Sequence, residues 1–338
     1  LTFRLKNERR EGETQVGARM QTLLVESYFG LRLGMSVVEV REQTLRALER
    51  HYRDALKLEA SGMINKADRL FVEVSMDEAR RALETARKDL DVAQSALKAL
   101  IRIDSAVDVR PVSPLFINDT LPSPERFKAL ARDNSYALNQ LGLQSDAAEN
   151  ELRMSRTGYA PEIALFGKHT LYSHGIRKNL LPRTVVGAGF TWTLFDGLAR
   201  EKKIAQAKIA RQTLGLSSSQ AEDDIDVEVD KLCAQISNAL SSVAALGTTI
   251  DLSRELVRMR RKAFAEGMAT STEVVDAEVM LSKARIAVLL AYYEYDVALA
   301  NLLSLCGAPE RFERYSLCGR TESHLFGPDG LYGENEND

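Results

Sequence analysis

The stretch Gly267–Cys306 reads GMATSTEVVDAEVMLSKARIAVLLAYYEYDVALANLLSLC. Moved back by 205 positions, it lies without a gap on Gly62–Ile101, GMINKADRLFVEVSMDEARRALETARKDLDVAQSALKALI. Gly62 matches Gly267, Met63 matches Met268, Glu73 matches Glu278 and Arg80 matches Arg285. The triplet Asp91-Val92-Ala93 matches Asp296-Val297-Ala298. Helical composition alone scatters Ala and Leu matches, but it does not align a Gly-Met turn and an Asp-Val-Ala triplet in one register. An internal repeat of this length means one supersecondary unit used twice. The fold is therefore read as a tandem duplication of a long α-helical hairpin.

Outward from the first copy, residues 13–60 carry Tyr28, Leu31, Val38, Leu45, Leu48, Tyr52, Ala55 and Leu58, with Val16, Met20, Leu23 and Leu24 before them. Steps of three and four put these on one helical face. Ser61-Gly62 ends that helix, and Asn65 or a neighbour caps the next, which runs to about Arg102. So short a connection makes the two helices antiparallel. Pro111, Pro114 and Pro122 break residues 103–122 into an irregular connection. Ser123-Pro124-Glu125 then starts a helix that is interrupted near Asp133-Asn134-Ser135 and ends before Gly158-Tyr159-Ala160-Pro161.

The convincing strands are Glu162–Tyr172 and Thr184–Phe195. In the second, Val186, Ala188, Phe190, Trp192 and Leu194 alternate with Gly187, Gly189, Thr191 and Thr193. An apolar side alternating with a small, polar side suits a strand between lipid and an aqueous lumen. A hairpin with one side packed on helices gives the same alternation. The intervening SHGIRKNLLPR is read as an external loop. From about Leu198 to Ala265 a further long helix carries the stripe Ile204, Leu214, Ile225, Val229, Leu232, Ile236, Leu240, Val243, Leu246, Ile250 and Val257. Gly267-Met268 turns it, and Thr270, Ser271 or Thr272 caps the return arm, which ends at Cys306-Gly307. The tail after Pro309 is read as irregular. The divisions are residues 1–102, first hairpin; 103–157, connection and helix; 158–197, β-hairpin; 198–306, second hairpin; and 307–338, tail.

The chain has 338 residues, 45% hydrophobic and 28% charged, with a net charge of −3. That is a folding composition with no field directed at nucleic acid. Glu294, Asp296 and Asn301 interrupt the most apolar run, so no transmembrane helix is expected, while a β-barrel stays open. The chain begins LTFRLKN, without Met or a secretory leader, and by the 205-residue offset Leu1 aligns inside the second copy's long helix. It is read as a processed or truncated form. Of the three cysteines, Cys233 is read as a core residue, and pairing of Cys306 with Cys318 stays open.

The duplicated hairpin, the β-hairpin entering its second copy, and the junction Thr191-Trp192-Thr193-Leu194-Phe195-Asp196-Gly197 together resemble the TolC-like outer-membrane efflux protein family. So does the tip Phe264-Ala265-Glu266-Gly267-Met268-Ala269-Thr270 followed by Glu273-Val274-Val275-Asp276-Ala277. The resemblance implies a mainly α protein with a small β part. Its long hairpins would form a periplasmic α-barrel, and its strands would join a trimeric outer-membrane β-barrel. It also implies a belt formed by residues 103–135 and the tail. The expected departure is a missing first β-hairpin and the helix before it.

By the same resemblance the protein is an exit duct of a tripartite efflux or type I secretion system in the outer membrane. It would be a homotrimer working with a periplasmic adaptor and an inner-membrane transporter. Glu273, Asp276 and Asp68 are the candidate pore-lining acids, because three copies around one axis focus a negative field. Gly62, Met63, Gly267 and Met268 are the candidate adaptor contacts. Val186, Phe190, Trp192 and Leu194 are the candidate side toward outer-membrane lipid. Arg258, Arg260 and Arg261 pair either with an adaptor or with neighbouring helices. The alternative is a periplasmic coiled-coil adaptor or structural interaction protein. His51, His169, His174 and His324 are scattered, and no phosphate loop or nucleophile elbow occurs, so neither catalysis, cofactor nor metal is expected.

Overall fold

The duplication is visible in backbone detail at both hairpin tips. Helix α1 (Thr2–Ala60) turns into α2 (Lys66–Ile101), and α5 (Ala199–Ala265) turns into α6 (Ser271–Leu305). Gly62 and Gly267 take φ of 73° and 72°, a left-handed conformation that costs glycine nothing. Met63 N–H donates to Leu58 O and Gly62 N–H to Glu59 O; Met268 donates to Ala263 O and Gly267 to Phe264 O. Each pair is a Schellman motif, which satisfies carbonyls that the helix end leaves free. The return helices are capped at matching places. Asn65 accepts from Asp68 N–H at 2.9 Å, and Thr270 accepts from Glu273 N–H at 3.3 Å.

The computed structural model describes residues 2–104, 107–169 and 184–322, with side chains in α1 from residue 16 onward. The loop at 173–183, the acidic end of the tail, His174 and His324 lie outside the described residues. Between the hairpins are β1 (Phe116–Ile117), α3 (Pro124–Asn134), α4 (Tyr136–Thr157), β2 (Glu162–His169) and β3 (Thr184–Thr191). After α6 come α7 (Arg311–Cys318) and β4 (Arg320–Thr321). No helix is long and apolar enough to cross a membrane, among the described residues.

The chain forms two compact units, one of residues 1–13 and 136–223, the other of 14–135 and 224–338. In the second unit α6 is the central element. Val274, Val275, Leu281, Val288, Leu289, Tyr292, Tyr295, Leu299, Leu302 and Leu303 are all buried, on more than one side of the helix. Its partner by duplication, α2, buries only Val72, Leu83, Ala86 and Leu97. A helix buried on several sides needs apolar residues around its circumference, and where the second copy has Val274, Leu289, Tyr292 and Leu303 the first has Arg69, Glu84, Arg87 and Lys98. The stripe of α5 is buried at Ile225, Val229, Leu232, Ile236, Val243, Ile250 and Val257, at helical spacing. By contrast Val16, Met20, Leu23 and Leu24, expected on the buried side of α1, are exposed. Periodicity marks a side but does not say that the same chain covers it.

The tail departs from the irregular structure expected of it. Phe312 on α7 packs edge-on against Phe29 and Phe116, and β4 pairs antiparallel with β1. Few apolar residues are needed, because Phe312 enters an aromatic cluster already built by the connection. The connection itself is pinned by Tyr28, whose hydroxyl accepts from Val112 and Ser113 N–H at 2.9 Å. Arg32 and Glu322 form a buried ion pair at 3.0 Å beneath it. Gly307 closes α6 with φ 66° and sits against the Asn134 backbone at the α3–α4 break. Cys233, Cys306 and Cys318 are all free thiols, Cys306 buried and Cys318 exposed, so the 306–318 pairing is not formed.

In the first unit β2 and β3 form a two-stranded antiparallel sheet whose side chains are mostly exposed. In the same unit α4 buries Ala148, Leu152 and Ser155. An ion pair from Glu149 to Arg211 at 3.1 Å ties α4 to α5.

Candidate functional site at the hairpin tips and the strand-to-helix junction

The two tips touch. A Cβ on Gly267 would lie 3.4 Å from Met63 Cε, so the methionine of one turn covers the glycine of the other. Under them Leu48, Ala55, Val72, Phe264, Val274 and Val275 form a buried cluster drawn from all four arms. Met63 and Met268 are exposed, at 55% and 71%. Flexible, polarizable thioethers at two adjacent turns make an adaptable apolar surface.

The spacing Thr270-x-x-Glu273 forms a full capping box, which selects Thr270 from the three candidate caps. Glu273 is therefore occupied twice. One oxygen accepts from Thr270 N–H at 2.9 Å, and the other pairs with Arg260 at 2.8 Å. The Thr270 N–H, with Arg260 behind it, holds the Glu273 carboxyl below its ordinary value. Asp276, one turn later, is exposed, and the next acid, Glu278, is buried against Arg261. Burial pushes the Glu278 carboxyl up, against the pull of Arg261. In the first copy Asp68 is half-buried in the first turn of α2, and the place of Asp276 is taken by Phe71. The structure thus separates two acids that the sequence groups: Glu273, like the neighbouring Glu278, holds the tip together, and Asp276 is left exposed.

The arginines are resolved as well. Arg258 pairs with Glu255 on its own helix, whereas Arg260 and Arg261 cross to α6. The pair Arg260–Glu273 crosses a turn and so has no periodic signature in the sequence. Between α1 and α5 an open groove of about 390 Å³ is lined by Arg50, His51, Asp54, Lys57, Leu58, Arg261, Phe264 and Ala265. His51 is buried there, its ring edge-on to Phe264 at 4.5 Å, and burial pushes its imidazole below the ordinary value. No cluster of metal-ligating side chains occurs among the described residues.

The second candidate place is where β3 enters α5. The strand ends at Thr191, so Trp192 and Leu194 lie just beyond it rather than within it, while Val186 and Phe190 share one side of the strand. Trp192 donates its indole N–H to Tyr159 O at 3.2 Å, and Tyr159 donates its hydroxyl to Glu201 at 2.8 Å. Arg200 lies 4.9 Å over the Tyr159 ring and donates to Asp196, Gly158 O and Leu194 O. Asp196-Gly197 is thus a fastened corner, with Gly197 and Leu198 both at φ 68°. Val186, Phe190, Trp192 and Leu194 are all more than half exposed. A row of large apolar side chains left open is what a lipid or protein contact requires.

Residues 129–308 match the family model for outer membrane efflux proteins. The chain is 24% identical over 326 residues to the alkaline protease secretion protein AprF of Pseudomonas aeruginosa, covering 90% of this chain and 64% of AprF. It is also 24% identical over 330 residues to the outer membrane efflux protein BepC of Brucella suis, covering 90% of this chain and 69% of BepC. The chain therefore spans about two thirds of the length of these curated relatives. Its fold is similar to that of the outer-membrane channel OprN, at TM-score 0.80 and 16% identity, over 90% of this chain and 69% of that one. The resemblance read from the repeat and the two motifs is thereby borne out. With the matched segment covering more than half of its residues, the chain belongs to the outer membrane efflux protein family, and its place is the outer membrane with a periplasmic helical extension.

Proposed function

We propose that the chain forms part of a passive exit duct, three copies around one axis, in a tripartite efflux or type I secretion assembly. Cargo enters from an inner-membrane transporter, and a periplasmic adaptor meets the touching tips at Gly62, Met63, Gly267 and Met268. Val186, Phe190, Trp192 and Leu194 face outer-membrane lipid. The observation that carries this reading is the pairing of two touching tips with an exposed Asp276 one turn past the capping box. Three such carboxylates around an axis make a focused negative ring that favours cations. Asp276 is the principal ring residue. Glu273 supports it by fixing the turn, and Asp68 contributes from the first copy.

AprF is by name a protein of protease secretion and BepC one of efflux, so cargo follows from the transporter rather than from the duct. The test is single-channel recording of the native protein, extracted from outer membranes and placed in planar bilayers. Asp276→Ala is expected to lower cation selectivity and to weaken block by hexaamminecobalt(III). A variant with the selectivity and block of the wild type would remove Asp276 from the ring.

A further inference from the structure

Opposed residues of an antiparallel pair project to the same side of the sheet. On one side of β2–β3, Ile163 opposes Phe190, Leu165 opposes Ala188 and Gly167 opposes Val186. On the other, Glu162 opposes Thr191, Ala164 opposes Gly189, Phe166 opposes Gly187 and Lys168 opposes Val185. The first side is apolar up to the polar end pair, His169 opposite Thr184. The second is small or polar apart from Val185 at its end and Phe166, which stands in its middle as the one aromatic residue there, among the described residues.

Phe166 has a built seat. A Cβ placed on Gly187 would come within 2.6 Å of Phe166 Cζ and 3.1 Å of both Cε atoms. The equal Cε distances and the shorter Cζ distance put this point off the plane of the ring, at its Cζ edge. The Cζ end of the ring therefore lies across Gly187, in the space where any other residue would place a side chain. Neighbouring Gly189 has only the Ala164 carbonyl at 3.8 Å, and Gly167 has nothing near, so the close seat belongs to this pair alone among the three strand glycines. One face of the ring rests on the strand. The ring is still 54% exposed, so the other face is open.

We propose that Phe166 is a cargo-contacting platform on the lumenal wall, selective for organic cations and planar aromatic molecules. This rests on the duct reading above, which makes the small and polar side of the hairpin the inner one. The face of a phenyl ring is the negative end of its quadrupole, so it attracts cations and stacks offset on aromatic groups. Gly187 is the positioning residue: without a side chain it lets the Cζ end of the ring lie across it, leaving the passage open while the π-face stays presented.

The test is single-channel recording of the native protein, extracted from outer membranes and placed in planar bilayers, with tetraphenylphosphonium as the probe. Phe166→Leu keeps an apolar side chain but removes the quadrupole. It is expected to leave K⁺ conductance near that of the wild type and to shorten block by the probe about two- to five-fold. Gly187→Ala keeps the phenyl ring but lifts it from its seat, and is expected to change block in the same direction. Phe166→Cys is expected to react with a membrane-impermeant methanethiosulfonate from the aqueous side. A conducting wild type with block unchanged in Phe166→Leu overturns the platform alone, as does a Phe166→Cys thiol inert from the aqueous side in a conducting channel. A wild-type protein that does not conduct overturns the duct reading and the platform with it.

Discussion

Arg102 and Gly307 occupy the same place in the two copies of the repeat and share one backbone conformation, with φ of 54° and 66°. Each closes its return helix: Ile103 N–H donates to Lys98 O, and Ala308 N–H to Leu303 O. Arginine carries the steric cost of the left-handed region, about 1 kcal/mol or more, that glycine does not. Arg102→Gly is therefore expected to raise stability by up to about 1 kcal/mol. Gly307→Ala is expected to lower it by more than about 1 kcal/mol, because its Cβ would also press into the Asn134 backbone carbonyl. Urea unfolding midpoints of the two variants check both signs. A loss in Arg102→Gly would show that the arginine side chain contributes more than its backbone costs.

Asp296 is fully buried, accepts from Phe116 N–H at 3.5 Å, and lies near Glu322, which Arg32 pairs. Burial drives the Asp296 carboxyl well above its ordinary value, and the nearby Glu322 adds to this. The native state thus keeps a proton that the unfolded chain releases. Stability is fully present below the ordinary carboxyl range and falls as pH rises toward the native value, by up to about 1.4 kcal/mol per pH unit for one proton. Asp296→Asn mimics the protonated form and is expected to flatten this fall. Thermal midpoints followed from acid to alkaline pH measure it, and an unaltered slope in the variant would place the titration elsewhere.

His51 titrates in the opposite sense. Burial beside Phe264 lowers its imidazole, with Arg261 adding to the effect, so the native state keeps it neutral where the unfolded chain takes up a proton. Its contribution is present above the ordinary histidine range and is lost as pH falls through that range toward the native value. His51→Leu is expected to remove that part of the acid sensitivity. Hydrogen exchange in the tip segments of α1 and α5, compared on either side of about pH 6.5, is the readout. Equal acid loosening in variant and wild type would exclude His51 as its source.

The thiols of Cys306 and Cys318 differ in reach. Burial pushes the Cys306 thiol up to about 12, and its sulfur donates to Phe127 O at 3.6 Å, while Cys318 is exposed. A maleimide applied to the native protein is expected to label Cys318 within minutes and Cys306 only after unfolding. Mass spectrometry of labelled peptides checks the order. A Cys306–Cys318 disulfide recovered under non-reducing conditions would contradict the free thiols.

The long hairpins were legible because helical signals are local. Gly62 and Gly267 stop helices by backbone conformation, and Asn65 and Thr270 start them by hydrogen bonds spanning three residues. The strand alternation around Phe190 is local in the same way. The site was legible in part. The sequence marked Glu273 and Asp276 together, but it could not show that Arg260 takes the first and leaves the second exposed. Nor could it place Phe166 on Gly187, because the pairing register depends on a partner strand.

Asp91 and Asp296 set the boundary between the two kinds of information. Their equivalence is written in the residues alone, in the same Asp-Val-Ala triplet of the same helix of one duplicated unit. It takes the packed fold to leave Asp91 in solvent and to bury Asp296 near Glu322. Helix formation depends on residues within a few positions, so both copies form it alike. Burial depends on what else packs there, and of the two return helices it is α6 that packs on β1 of the connection and α7 of the tail.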